Sequence, residues 1–296
     1  MSQGKFAVVA AIASSVLFGR PALGADVPPR PSAGCKADTI ERGRKLERTI
    51  DIAGTPRSYV LDVPDRVRPG VPAPLLFDFH GFGHSGKGVW EVSGFRALAE
   101  REGFITVYPE GLPVRLTLRG VEQEAPGWAL SAVDPNRDLL FTGRLLDDLE
   151  RRYCIDRARI YATGFSNGAF FSQVLGCVFA HRFAAVAPVS GGLVGLKCDP
   201  TRGVPILIQH GRLDDLIPAK QAHAARDKWV AANQCRQSAH DGCERHTDCR
   251  DGAVVEYCEE NYAHRWPPQA TERIWKFFSQ HPMPAPAGGS EEQVSR

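Results

Sequence analysis

The sequence predicts an α/β fold, a doubly wound and mostly parallel sheet with an antiparallel hairpin at its N-terminal side. Short apolar runs alternate along the chain with longer stretches whose apolar residues recur at helical spacing. Strands that alternate with helices pair in parallel, and right-handed crossovers place the helices on both faces of the sheet. The chain also has eight cysteines, an even number that allows a disulfide-bonded structure.

The predicted elements follow this alternation. Residues 46–52 and 57–63 are two strands around Ala53-Gly54, which is a hairpin signal. The further predicted strands are residues 75–79, 105–108, 159–163, 184–189, 205–209 and 254–258. The predicted helices are residues 138–153, 167–179, 219–233 and 270–278. Two segments interrupt the pattern and are predicted as long loops with a functional role: the proline-containing residues 112–137 and the polar residues 235–258.

Charge and composition exclude two classes of protein. The chain of 296 residues carries 36 Lys and Arg against 34 Asp and Glu, a net charge of +2, whereas a nucleic-acid-binding domain is strongly basic. A disordered chain is poor in apolar residues, and here 43% are hydrophobic. The length suits one large domain or two small ones with a substantial core.

The first 25 residues have the three parts of a secretory signal peptide. Lys5 precedes an apolar run at residues 6–18, and small residues then lead to a cleavage site after Gly24 or Ala25. A membrane anchor is the alternative, but the run has 13 residues and a hydrocarbon core needs about 20. The segment therefore predicts a secreted or periplasmic protein with no membrane partner.

All eight cysteines follow this cleavage site, at positions 35, 154, 177, 198, 235, 243, 249 and 258. In an oxidising compartment they can form four disulfides. A zinc site is the alternative, but the spacings contain no Cys-x2-Cys pair, and His246 alone does not complete a set of ligands. The pattern therefore favours structural disulfides.

Residues 164–168 read Gly-Phe-Ser-Asn-Gly, a G-x-S-x-G motif. A predicted strand runs directly into the motif and a predicted helix leaves it, which is the context of a nucleophilic serine. Glycine at both ends of the motif avoids a clash between the strand and the helix. An ordinary strand–glycine–helix connection is the alternative reading, and Ser166 is the candidate nucleophile.

A serine hydroxyl needs a base, and in this arrangement an acid and then a histidine follow the serine along the chain. Asp214 and Asp215 come after the predicted strand at 205–209, and either residue is a candidate acid. His264 is the candidate base because it lies just after a strand and before a helix, where its side chain can reach the serine. The later histidines that lack this position are His223, His240, His246 and His281.

An oxyanion hole is expected from an early loop and from the amide that follows the serine. Residues 80–83 read His-Gly-Phe-Gly and follow a strong predicted strand. The backbone amides of Phe82 and Asn167 are therefore the candidate donors. His80 is an alternative base, but it precedes the serine and lies in the loop whose amides are needed.

Taken together, these motifs resemble a known family. The residues that carry the resemblance are His80-Gly81, Ile105-Thr106-Val107-Tyr108-Pro109-Glu110-Gly111, Tyr161-Ala162-Thr163-Gly164-Phe165-Ser166-Asn167-Gly168, His210-Gly211-x-x-Asp214 and His264-x-Trp266-Pro267. They look like the secreted α/β-hydrolases known as polyhydroxybutyrate depolymerases and as feruloyl or acetylxylan esterases. The resemblance covers about residues 49–278. It implies an α/β-hydrolase fold and selects Asp214, four residues after His210, as the acid.

The resemblance implies a serine carboxylic-ester hydrolase in which Ser166 attacks the ester, His264 transfers the proton and Asp214 orients the histidine. It implies no metal and no cofactor. The substrate would be a small aryl ester, an acylated polysaccharide or a hydroxyalkanoate oligomer or polymer. A serine peptidase or lipase on the same fold, or a binding protein without catalysis, are the alternatives.

Some residues depart from the family pattern. Phe82 and His84 stand where a glycine-rich run is usual, and Ala263 and Pro268 replace two glycines around the histidine motif. These departures bear on substrate choice more than on catalysis.

Two aromatic residues and two cysteine pairs complete the expectations. Trp128 and Trp266 are candidate substrate-binding residues of the cleft, with core packing as the alternative. The resemblance suggests a disulfide between Cys177 and Cys198, which flank one helix–strand unit, and a second between Cys235 and Cys249. The expected organisation is a signal peptide (1–25), a linker (26–44), an α/β-hydrolase catalytic domain (45–281) and a disordered tail (282–296).

Overall fold

A computed structural model of the chain describes residues 27–131, 136–193 and 198–285. The predicted signal peptide lies outside these ranges, as does most of the predicted tail. In the part of the chain that is described, no helix is both long and apolar enough to cross a bilayer.

Most strands of the described chain join one mixed sheet. The strands are β1 (Gly43–Ile52), β2 (Thr55–Val63), β3 (Ala73–Phe79), β4 (Ile105–Pro109), β5 (Leu112–Leu118), β6 (Val121–Gly127), β7 (Ile155–Phe165), β8 (Ala185–Val189), β9 (Ile206–Gly211), β10 (Gln237–Asp241), β11 (Cys243–Thr247) and β12 (Val255–Glu260). Their order is β1-β2-β4-β3-β7-β8-β9-β12-β11-β10, with β5 and β6 as a separate pair. Pairing is parallel from β4 to β12 and antiparallel at both ends. The predicted α/β sheet is thus confirmed.

Helices cover both faces of the sheet. They are α1 (Gly86–Val92), α2 (Phe95–Glu102), α3 (Arg137–Arg152), α4 (Asn167–Val178), α5 (Ala219–Ala232) and α6 (Ala270–Gln280). Buried residues of α3, α4 and α5, such as Phe141 and Trp229, share one apolar cluster, whereas α2 and α6 contribute Phe95 and Phe278 to another. This two-sided packing is the doubly wound arrangement that alternating strands and helices predict. Helices α1 and α2 were not predicted, because both are short and their apolar residues span two turns.

The N-terminal hairpin is confirmed. Strands β1 and β2 pair in antiparallel register around Ala53 and Gly54. Both turn residues have positive φ, 53° and 82°, as a two-residue hairpin turn of type I′ requires.

The segment before this hairpin, which is predicted as a linker, bonds to the domain. Ser32 Oγ donates to Tyr153 O at 2.8 Å and accepts from the Ile155 amide at 3.0 Å. A disulfide joins Cys35 to Cys154 on the same side of the domain. Residues 30–35 are therefore held against the start of β7.

Both predicted long loops contain strands instead. Pro113 and Pro126 were taken as loop signals, but they pair opposite each other in the β5–β6 hairpin, where no third strand needs their missing N–H groups. Alternating Val114, Leu116 and Leu118 supply the period of two that strands require. In residues 235–258, the polar strands β10 and β11 extend the edge of the main sheet.

Each of the eight cysteines is in a disulfide. The two pairs suggested by the resemblance, Cys177–Cys198 and Cys235–Cys249, are both present. The other two are Cys35–Cys154 and Cys243–Cys258. The last of these joins β11 to β12, the strand that leads to His264.

Removing the Cys35–Cys154 disulfide is expected to destabilise the protein more than removing Cys243–Cys258. The chain separations are 119 and 15 residues. In the chain-entropy model, loops of these sizes correspond to roughly 5 and 3 kcal/mol, so the Cys35→Ala/Cys154→Ala variant should be the less stable by about 2 kcal/mol. Urea unfolding followed by far-UV circular dichroism measures both free energies, and equal losses would contradict the prediction.

Candidate active site

Ser166 forms the turn between β7 and α4. Its backbone has φ 53° and ψ −118°, which is unfavourable for any residue with a side chain. A Cβ on Gly168 would lie 2.1 Å from Phe79 O, and one on Gly164 would lie 2.5 Å from Gly168 O. Only glycine fits at these two positions, and the crowding holds the serine at the C-terminal end of β7.

Asp214 lies in the turn after β9 and is 5% exposed. Its Oδ2 accepts a hydrogen bond from His264 Nδ1 at 2.7 Å. Its Oδ1 accepts from the backbone amides of Leu216 and Ile217 at 3.1 and 2.8 Å. Burial raises the pKa of Asp214, but the hydrogen bonds from His264 and Ile217 outweigh it, so the pKa lies below its ordinary value. The carboxylate is therefore ionised and fixed in orientation.

His210 closes the turn that carries Asp214. Its Nε2–H donates to Ile217 O at 2.8 Å. The ring is fully buried, and burial lowers the pKa of His210, so the ring is neutral. The turn is thus held without a second positive charge beside the acid.

His264 lies in the loop between β12 and α6. Because β9 and β12 are parallel neighbours, their C-terminal ends bring the acid and the histidine together. The amide of Leu213 donates to Tyr262 O at 3.1 Å and joins the two loops. Asp214 can only accept, so Nδ1 of His264 carries the proton and the lone pair of Nε2 is left to act as a base.

The two candidate oxyanion donors lie beside the serine. Phe82 and Asn167 line the same cavity as Ser166. A Cβ on Gly81 would lie 3.4 Å from Ser166 Cβ, so the early loop touches the turn. Within the described residues, neither the Phe82 amide nor the Asn167 amide donates to a protein acceptor.

His80 supports the early loop and does not face the cavity. Its Nδ1–H donates to Gly81 O at 2.7 Å, and its Nε2 accepts from the Gly111 amide at 2.9 Å. Burial lowers the pKa of His80 to about 4, so the ring stays neutral. The geometry leaves His80 no role as a base.

A cavity of about 460 Å³ contains the serine. His264 and the β5–β6 hairpin form parts of its wall. Its polar side chains include His84, Thr117 and Gln221. Its apolar lining is Phe82, Leu116, Leu118, Leu130, Phe165, Phe170, Leu216 and Ile217. No hydrogen bond joins Ser166 Oγ to His264 in the described chain, and such bonds are often long before substrate binds.

The other predicted site residues lie elsewhere. Trp128 is 1% exposed and lies in the core, and Trp266 donates to Thr271 Oγ1 at 3.1 Å. Neither tryptophan lines the cavity, and Trp128 is buried away from it, whereas a substrate-binding role for Trp266 stays a prediction. Asp215 is exposed and pairs with Arg119 at 2.6 Å, so the structure brings only the first of the two candidate acids to His264.

In residues 27–131, 136–193 and 198–285, no cluster of three or more His, Cys, Asp or Glu side chains could hold a metal ion.

The sequence is similar to several curated esterases, although no family model matches it. It is 27% identical to Feruloyl esterase D of Neurospora crassa, over 89% of this chain and 94% of that protein. It is 30% identical to Probable feruloyl esterase C of Aspergillus terreus, over 70% of this chain and 71% of that protein. It is 25% identical to the Bifunctional acetylxylan esterase/xylanase XynS20E of Neocallimastix patriciarum, where it spans 35% of the longer protein.

Solved structures share the fold. Acetyl xylan esterase from Aspergillus awamori superposes with a TM-score of 0.61 at 14% identity, over 79% of this chain and 99% of that one. A thermostable esterase gives a TM-score of 0.54 at 22% identity, over 78% of this chain and 59% of that one. The sequence likeness to the feruloyl esterases extends well beyond the serine motif. The chain therefore belongs to the feruloyl esterase family, has the α/β-hydrolase fold and is a carboxylic-ester hydrolase.

Proposed function

We propose that Ser166, His264 and Asp214 are the catalytic triad and that hydrolysis passes through an acyl-enzyme on Ser166. The observation that carries this proposal is the 2.7 Å hydrogen bond from His264 to a buried carboxylate, at the edge of the cavity that contains Ser166. That bond fixes the tautomer in which Nε2 is the base.

The reaction follows from these positions. Ser166 Oγ attacks the ester carbonyl carbon while His264 Nε2 takes the hydroxyl proton. The tetrahedral intermediate then expels the alcohol, which receives that proton, and leaves the acyl group on Ser166. Water attacks the acyl-enzyme with the same histidine as base, and the acid is released as Ser166 regains its proton. The imidazolium that forms twice is stabilised by Asp214.

Two amides would receive the negative charge. In the tetrahedral intermediate the former carbonyl oxygen becomes an oxyanion. Phe82 and Asn167 line the same cavity as Ser166, and no acceptor among the described residues bonds to their amides. They are proposed as the oxyanion hole.

We propose an ester of an aromatic acid, of the feruloyl type, as the substrate. Three phenylalanines and five aliphatic residues line the cavity, whereas an acetyl group would cover little of that surface. The curated relatives named feruloyl esterase support the same class. Esters of acylated polysaccharides and of hydroxyalkanoate oligomers are the competing substrates.

We also propose that the protein is exported, to the periplasm or outside the cell. The predicted signal peptide lies outside the described residues, so the support comes from the cysteines. All eight form disulfides, which persist in oxidising compartments.

Ser166→Ala is expected to abolish labelling by a serine-reactive phosphonate and to lower kcat by about 10⁴-fold or more. The phosphonate bonds to the serine oxygen that this substitution removes. Intact-protein mass spectrometry measures the adduct, and equal labelling of the variant would show that another residue is the nucleophile.

Asp214→Asn and Asp215→Asn form a matched pair of neighbours. Asp214→Asn removes the charge that orients His264 and is expected to lower kcat by about 10⁴-fold. Asp215→Asn breaks only an exposed ion pair with Arg119 and should leave kcat within about twofold. Steady-state kinetics on an aryl ester compares them, and similar losses in both variants would remove Asp214 from the proposed triad.

A substrate panel tests the proposed ester class. It contains methyl ferulate, acetylated xylan, hydroxybutyrate oligomers and the solid polymer. Burying an aromatic ring contributes about 1.5–3 kcal/mol, so kcat/KM for methyl ferulate should exceed that for the other soluble esters by about tenfold or more. Phe170→Ala should reduce this preference, because Phe170 lines the cavity. Faster turnover of a hydroxybutyrate oligomer would instead place the enzyme among polyester hydrolases.

A further inference from the structure

Trp128 connects the two halves of the proposed oxyanion hole, although it does not line the cavity. Its indole Nε1–H donates to His80 O at 2.9 Å, at the start of the loop that carries Phe82. Its backbone amide donates to Asn167 Oδ1 at 2.7 Å, and its carbonyl accepts from Asn167 Nδ2 at 3.3 Å. One residue thus bonds to the early loop and to the first residue of α4.

The ring of Trp128 is itself fixed by the core. It stacks on Phe171 of α4 with centroids 5.2 Å apart, and it meets Phe79 of β3 edge to face at 5.0 Å. The side chain is 1% exposed. Aromatic packing of this kind adds to the energy of burial, so the indole N–H has a defined position.

The backbone before Trp128 lies against the side chains of Phe82 and Asn167. A Cβ on Gly127 would lie 2.9 Å from Asn167 Oδ1 and 3.3 Å from Phe82 Cδ2. The Gly83 amide also donates to Pro126 O at 2.8 Å, which binds the early loop to the end of β6. The end of β6 therefore contacts both the loop that carries Phe82 and the Asn167 side chain.

We propose that Trp128 is a positioning residue of the oxyanion hole, which holds the Phe82 and Asn167 amides at the separation that the oxyanion needs. This inference rests on the proposed function, because it takes those two amides as the donors. Removing a donor outright costs about 10²–10³-fold in kcat, since the hole acts through preorganised groups. Displacing a donor without removing it is expected to cost less, about tenfold.

Trp128→Phe removes the indole N–H and keeps an aromatic ring in the core. Its hydrolysis of methyl ferulate is compared with that of the matched thionoester, in which sulfur replaces the carbonyl oxygen. Sulfur is a weak acceptor, so the thionoester depends little on the oxyanion donors. We expect kcat for the oxygen ester to fall about tenfold with KM within about twofold. The oxygen-to-sulfur ratio of kcat/KM should fall by about threefold or more.

Trp229→Phe is the matched control. Trp229 of α5 is fully buried, and its indole N–H donates to Gln173 Oε1 at 3.0 Å. Gln173 lies in the second half of α4, away from the end that follows the serine. This variant should lose stability, measured by thermal unfolding, while its oxygen-to-sulfur ratio remains that of the wild type. An unchanged ratio in Trp128→Phe would overturn the inference.

A second variant covers the case in which Trp128→Phe does not fold. Asn167→Ala keeps the Asn167 amide and removes both side-chain bonds to Trp128, so the ratio should fall here too, and an unchanged ratio overturns the inference. Ser166→Ala separates the two proposals. If it stays active, the proposed function fails, whereas an inactive Ser166→Ala with unchanged ratios in the folded variants overturns only the role of Trp128.

Discussion

The strained turn at Ser166 is the constraint on which the rest of the site depends. A residue with φ 53° and ψ −118° carries a cost of about 1–3 kcal/mol, and it persists only where the surrounding structure imposes it. Here β7 is central in the sheet, and the Ser166 amide donates to Val189 O of the neighbouring strand at 3.0 Å. The two glycines of the motif allow β3 and α4 to approach within a distance that no side chain would permit.

The acid, the histidine and the early loop lie at the same edge of the sheet as the serine. Strands β3, β9 and β12 end near β7, so residues far apart in the chain meet there. His80 and His210 brace two of these strand ends as buried, neutral donors. The neutrality of His210 matters, because its ring lies 3.7 Å from Asp214 and an imidazolium there would compete with His264 for the carboxylate. Burial, which lowers the pKa of His210, prevents this competition.

Much of this could be predicted from the sequence, because strand ends are visible as transitions from apolar runs to glycine and polar residues. Ser166 and His264 were selected on that basis. The choice between Asp214 and Asp215 needed the family resemblance, since adjacent residues share every sequence signal. In the structure they differ by orientation: the first is buried against His264, and the second points to solvent.

The β5–β6 hairpin and the buried position of Trp128 differ from the predictions for one physical reason. A sequence pattern indicates the periodicity and composition of a segment, but it does not show which part of the fold each side chain contacts. Residues 112–118 alternate as a strand does, but the prolines at 113 and 126 predict a loop. The two prolines pair with each other in an isolated hairpin, and this pairing becomes visible only in the folded structure. Trp128 is predicted to lie in the cleft because aromatic residues bind rings. In the structure its ring stacks on Phe171, and its indole N–H donates to His80 O.

The tip and the base of the β5–β6 hairpin contact different parts of the site. Near its tip, Leu116 and Leu118 line the cavity, and Arg119 forms an exposed ion pair with Asp215. Such a pair contributes little energy, so it restrains the tip only weakly. At its base, β6 runs into Trp128, which is held by the core. We therefore expect substitutions near the tip to change which ester fits while the proposed oxyanion donors keep their places, so that one fold can serve different esters.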